Sequence, residues 1–171
     1  MRYVTSITAL IVLFCIQVHA SIPATPDFAF PKRVSAEANR SLKQALSASD
    51  GPGIVRAVMD YTLAQGTVDT DNISASLARI DSVRGLESVS PVTRSILSLL
   101  MADIYAQLYN QKRWVYDQRE IATTQPPVNY EEWSGQQFRE CISSLTDTAL
   151  SAADRLFATP LSQWRVHLIT D

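Results

Sequence analysis

An all-α fold is the expectation for this 171-residue chain, and three observations carry it. Apolar residues recur at three- and four-residue intervals, no stretch sustains the alternation of a half-buried strand, and Gly, Pro and Asp residues punctuate the periodic runs. This pattern predicts five to six helices in antiparallel hairpins, as a bundle or a short solenoid, after an extended Pro-rich N-terminal segment. No fixed-period repeat survives comparison of the helix pairs.

The first twenty residues, MRYVTSITALIVLFCIQVHA, carry Arg2, no acidic residue, a mostly apolar run from Ile7 to Val18, and Val18-His19-Ala20 ahead of Ser21. Those are the charged, apolar and small-residue regions of a secretory signal, so residues 1–20 read as a signal peptide cleaved after Ala20. The apolar run is shorter than the ~20 residues of a spanning helix and is interrupted by Gln17, so no stable membrane span is expected after cleavage. Without Arg2 the chain keeps 14 basic residues against 17 acidic ones, a net charge of about −3. One cysteine, Cys141, remains, so no internal disulfide can form and stability must come from packing. A chain of ~150 residues is long enough to bury a core.

Residues 21–33, SIPATPDFAFPKR, form the extended entry segment, because Pro23, Pro26 and Pro31 disfavour helix. Phe28 and Phe30 are expected to pin it to the body. Residues 34–171 read as one helical domain. Its first helix carries Val34, Ala38, Leu42, Ala45 and Leu46 and ends near Ser49. Asp50-Gly51-Pro52 restarts a helix, with Asp50 as the cap and Pro52 in the first turn. That second helix presents Ile54, Val55, Val58, Met59, Tyr61 and Leu63, and Gly66 is its natural stop.

The third helix starts at Thr70 or Asp71, carries Ile73, Leu77, Ile80 and Val83, and ends around Gly85. Ser90-Pro91 announces the fourth, apolar over more than one stripe from Val92 to Leu108 and therefore the expected central element. Gln125-Pro126-Pro127 breaks the chain before Ser134-Gly135-Gln136-Gln137, a capping box. From there Phe138, Cys141, Ile142, Leu145, Ala149, Ala152 and Leu156 line one face for nearly five turns, up to Thr159-Pro160. Trp164 and Leu168 suggest a short last helix.

Catalytic chemistry is sparse, and no enzyme activity or cofactor is expected. After removal of the leader the only histidine is His167, five residues from the end in sequence, which leaves no histidine triad, His-Glu-x-x-His zinc site or Cys/His cluster. The glycines form neither phosphate-binding nor dinucleotide-binding loops. Cys141 falls on the apolar stripe and reads as a small buried hydrophobe. Glu131 and Glu132 read as favouring the start of the helix that follows. Asn39-Arg40-Ser41 and Asn72-Ile73-Ser74 match the glycosylation acceptor pattern, which matters only in a eukaryotic secretory route.

One stretch stands out: YNQKRWVYDQRE, residues 109–120, which interleaves Tyr109, Trp114 and Tyr116 with Lys112, Arg113 and Arg119. Asp117 and Glu120 cut its local charge to about +1 in a net negative protein, a poor footprint for nucleic acid. A glycan platform formed with Trp133 is the better functional reading, since aromatic faces suit sugar surfaces without needing charge. The structural reading is that the aromatics close the end of the fourth helix and lock the loop after it, because Tyr105 and Tyr109 lie one turn apart. The structural reading is preferred for Tyr109, Trp114 and Tyr116 alike.

Three stretches, TPDFAFPKRVSAEA (25–38), YNQKRWVYDQRE (109–120) and NYEEWSGQQFRE (129–140), taken in order, resemble the helical N-terminal region of large secreted bacterial alpha-2-macroglobulin-like proteins. In those proteins this region precedes the β-sandwich domains that trap proteases. Cys141 is followed by Ile142-Ser143-Ser144 and not by the thioester signature Cys-x-Glu-Gln, so trapping carries over to no residue here. What the resemblance implies is an exported location, in the periplasm, on the outer-membrane surface or outside the cell, and a docking or scaffolding role toward a protein partner in the envelope. It also implies a chain cut short at Asp171, with Trp164 and Leu168 left as an uncovered apolar face for that partner. Mass spectrometry of the native protein is expected to find Ser21 as the first residue; an intact Met1 in a cytosolic fraction would contradict export.

Overall fold

The structure, a computed structural model, describes residues 31–66, 73–120 and 129–160, together with Trp164. Among the described residues there are seven α-helices and no strand. They are α1 (Pro31–Ser47), α2 (Gly51–Gly66), α3 (Ile73–Arg84), α4 (Pro91–Gln111), α5 (Arg113–Tyr116), α6 (Gly135–Leu150) and α7 (Ala153–Ala158), with a 3-10 turn at Tyr130–Glu132 before α6. The all-α expectation holds; α5 and α7 are short helices not among the five to six expected, and the expected last helix lies outside the described residues apart from Trp164.

Local chemistry explains most boundaries. α1 opens at Pro31, three residues earlier than expected, because proline lacks an amide hydrogen that the first turn would leave unpaired and its φ is already helical. Pro31, Lys32 and Arg33 are thus helical and not part of an extended segment; residues 21–30 lie outside the described residues. At the other end the amide of Ser49 donates to the Leu46 carbonyl at 3.2 Å and that of Asp50 to the Ala45 carbonyl at 2.9 Å. That pair of bonds is a Schellman motif, with Ser49 at φ 52° in the left-handed position that glycine usually takes. Asp50 then accepts from the amide of Gly53 at 3.1 Å and starts α2, so α1 and α2 form a tight hairpin.

Ser90 caps α4 by accepting from the Thr93 amide at 3.1 Å, with Pro91 in the first turn. The α3–α4 connection is held by Arg94, whose guanidinium donates to the carbonyls of Arg84, Leu86 and Val89 at 3.0, 3.1 and 3.4 Å. One arginine thereby binds the last carbonyl of α3 and two carbonyls of the loop that follows it. The capping box at α6 is present in both directions: Ser134 accepts from the Gln137 amide, and the Gln137 side chain accepts from the Ser134 amide.

The expected five-turn helix from Ser134 is in fact two. Thr146 and Thr148 donate their hydroxyls to the carbonyls of Ile142 and Ser144, and Ser151 donates to that of Thr148 at 2.7 Å. Such back-bonding competes with the regular ladder and bends helices. The amide of Ser151 is shared between Asp147 and Ala149, the helix tightens, and the chain restarts as α7.

Packing is organised around α4, which lies against α2, α3, α5, α6 and α7, as its broad apolar face predicts. α1 packs on α2, and α6 packs on α4. One apolar cluster runs through it, from Leu42 of α1 through Val58, Ile80 and Leu97 to Phe138 and Leu145 of α6. Close approach is achieved with small hydroxyl residues: Ser76, Thr93, Ser95 and Ser98 are all buried, and Ser95 and Ser98 bond back to the carbonyls four residues before them.

Trp164 also belongs to this core. It is 6% exposed, and a Cβ added to Gly51 would touch its ring while colliding with Thr93 Oγ1. Gly51 is therefore the residue that lets Trp164 and α4 close over the start of α2. This corrects the expected uncovered face at Trp164: the indole is satisfied within this chain. Leu168 and His167 lie outside the described residues, as do Phe28, Phe30, Thr70, Asp71 and Asn72.

Candidate functional site

The distinctive stretch 109–120 spans the end of α4, all of α5 and the loop after it. Its aromatics meet Phe138, which points from the first turn of α6 into the protein with no exposed surface. Four rings surround Phe138, with centroids 4.7 Å away for Tyr116, 5.1 Å for Trp133, 5.8 Å for Tyr109 and 6.3 Å for Tyr105. Tyr105 and Trp133 are themselves stacked at 5.1 Å. Tilted and edge-to-face pairs of this kind add to the area each ring buries. The cluster ties α4, α5, the 3-10 turn and α6 together.

A polar network covers one side of it. Tyr109 donates its hydroxyl to Asp117 Oδ1 at 2.8 Å, and Arg139 donates to both Tyr109 Oη (2.8 Å) and Asp117 Oδ1 (2.9 Å). Arg113 reaches the other carboxylate oxygen at 3.3 Å. The guanidinium groups of Arg113 and Arg139 also each lie 5.8 Å from the centre of the Tyr109 ring. A Cβ on Gly135 would collide with the Asp117 carboxylate, so glycine at the start of α6 gives the carboxylate its place beside the positive end of that helix. Opposite, Arg119 lies 5.1 Å from the Tyr116 ring centre and donates to the carbonyls of Glu131 and Trp133. Arg113 and Arg119 thus meet carboxylate, carbonyl and ring faces while remaining exposed, and Lys112 is exposed beside them.

The structural reading holds for Tyr109 and Tyr116, both buried, and Trp133 is buried with them. It fails for Trp114. That ring is 72% exposed, the most exposed large hydrophobic among the described residues. The four-residue α5 explains the difference: with Tyr116 turned into the cluster, Trp114 two positions earlier must face away. Four candidate contacts therefore separate into three internal rings and one external one. Trp114 borders an open groove of about 620 Å³, walled by Lys112, Val115, Tyr116 and Arg119 on one side and Asn129, Glu131 and Glu132 on the other.

Elsewhere the chemistry is muted. Cys141 is half-buried and not fully enclosed as expected, and burial pushes its thiol up, disfavouring the thiolate. Burial likewise pushes the Tyr105 hydroxyl up to about 12, which keeps it neutral. Among the described residues no cluster of histidine, cysteine and carboxylate side chains is arranged to hold a metal ion, and no helix is long and apolar enough to cross a membrane. Comparison with family models, curated proteins and solved structures found no match to this chain.

The Asp117 carboxyl is held below the usual carboxylate range, by the Tyr109 hydroxyl first and then by Arg139 and Arg113, with desolvation working the other way. A carboxyl with a depressed folded pKa adds stability above its unfolded value of ~3.9 and loses that contribution as pH falls through the folded value. Asp117→Asn is expected to lower the melting temperature at pH 7, with a deficit that shrinks below pH ~4 and closes below the folded pKa. Thermal denaturation followed across that range checks this; a deficit independent of pH would contradict it.

Proposed function

We propose that this chain is a non-catalytic, exported helical module that binds a protein partner in the cell envelope. Trp114 carries the reading. An indole left largely in water costs free energy unless something covers it, and tryptophan is among the residues that dominate binding energy at protein interfaces. Tyr109, Tyr116 and Trp133 are buried, and Arg113 and Arg119 are held by contacts within the chain, so Trp114 is offered on a braced surface that need not reorganise on binding.

The leader-like first twenty residues support export, and the resemblance of three stretches to the leading helical region of alpha-2-macroglobulin-like envelope proteins supports a docking or scaffolding role. The absence of a plausible histidine, metal or nucleotide site in the sequence supports a binding role over an enzymatic one.

A glycan or small-ligand site formed by Tyr109, Trp114, Tyr116 and Trp133 together has less support, because burial of three of those rings leaves Trp114 alone to form the platform. Trp114→Ala separates the readings. Stability is expected to stay within ~0.5 kcal/mol of the parent, as for other surface positions, while capture of the envelope partner falls tenfold or more, corresponding to ~1.4 kcal/mol. Unchanged capture would remove Trp114 from the account, and loss of binding to an arrayed sugar in place of a protein would favour the glycan reading.

A further inference from the structure

The outward faces of α1 and α6 are opposite in charge and matched in spacing. Arg33 and Arg40 are both exposed, seven residues apart, with exposed Glu37 between them and exposed Lys43 one turn beyond Arg40, a local balance of about +2. On α6, Glu140 and Asp147 are also exposed and also seven residues apart. Seven residues make about two turns, so each pair is separated by ~10.5 Å along its own helix. Both pairs lie on the sides opposite the buried residues, Ala38, Leu42 and Ala45 on α1 and Phe138, Leu145 and Ala149 on α6. Small exposed residues lie among them, Ala36 and Ser47 on α1 and Ser143 and Ser144 on α6, so two such helices can approach closely.

None of these charges is neutralised by an ion pair among the described residues, whose salt bridges involve Arg56, Arg84, Arg113 and Arg139. Glu140 accepts a hydrogen bond from Gln136 at 2.8 Å. The net positive stripe stands in a chain of net charge −2, and the acidic pair that complements it in spacing lies on this same chain, on a different helix.

We propose that the chain associates with a second copy of itself, the outward face of α1 in one molecule seating on the outward face of α6 in the next. The two faces differ, so the contact is head-to-tail: each copy carries one of each, and association continues into rings or open chains. One helix laid on another buries less than the ~1,000 Å² of a stable interface, so the assembly is transient and governed by concentration and salt. It is independent of the Trp114 surface and would array those indoles along the assembly.

Sedimentation velocity tests this over a concentration series, near 0.01 M ionic strength where charges act over ~30 Å, and near 1 M where they act over ~3 Å. The average mass is expected to rise with concentration at low salt and to stay at the monomer value at high salt. Arg33→Glu with Arg40→Glu, and separately Glu140→Arg with Asp147→Arg, should each abolish the rise. Mixing these two variants, or combining all four substitutions in one chain, should restore it, because the reversed faces are again complementary. Helical content is checked for every variant by circular dichroism. A protein that stays monomeric at low salt, association that survives either double reversal, or a mixture that fails to recover would overturn the proposal.

Discussion

Phe138 is the point on which the aromatic half of the molecule depends. Its ring carries no exposed surface and touches residues from α4, α5 and the turn before α6. Burying a phenyl group contributes roughly 1.5–3 kcal/mol from area alone, and close packing makes the site intolerant of lost volume. Ser134 and Gln137, beside it, fix where α6 begins, so the capping box sets the register that delivers Phe138 into the ring of aromatics. Local hydrogen bonding and the apolar core therefore specify the same arrangement.

Asp117 converts that packing into a defined surface. A single carboxylate receives Tyr109, Arg113 and Arg139 and rests against the space left by Gly135, while Arg119 is spent on the carbonyls of the opposite segment. The two arginines of 109–120 are thus held by contacts within the chain while remaining exposed, and Lys112 is exposed beside them. Exposed ion pairs of this kind contribute little singly, but a network around one carboxylate also fixes geometry. The geometry it fixes leaves Trp114 outside.

Much of the fold was legible from local rules. The caps at Asp50, Ser90 and Ser134 and the breadth of the apolar face on α4 all follow from residue chemistry within a few positions. The division of α6 from α7 was not, because Ala149, Ala152 and Leu156 keep an unbroken stripe while the helix tightens at Ser151, whose amide is shared between the Asp147 and Ala149 carbonyls. Trp164 was misread for a related reason: periodicity identifies an apolar residue but not the partner that covers it, here the gap at Gly51. Within the candidate site, aromatic composition marked the right stretch. It could not separate Trp114 from Tyr116, since that depends on the rotation of a single short turn.

The central claim is that this aromatic cluster is an internal brace presenting one external indole. The chain has three tryptophans, so replacing two at a time with phenylalanine leaves a single reporter for fluorescence quenching by iodide. The account predicts red-shifted, strongly quenched emission from Trp114, and blue-shifted, protected emission from Trp133 and Trp164. Protected emission from Trp114, or a Trp133 quenched as readily as Trp114, would contradict it.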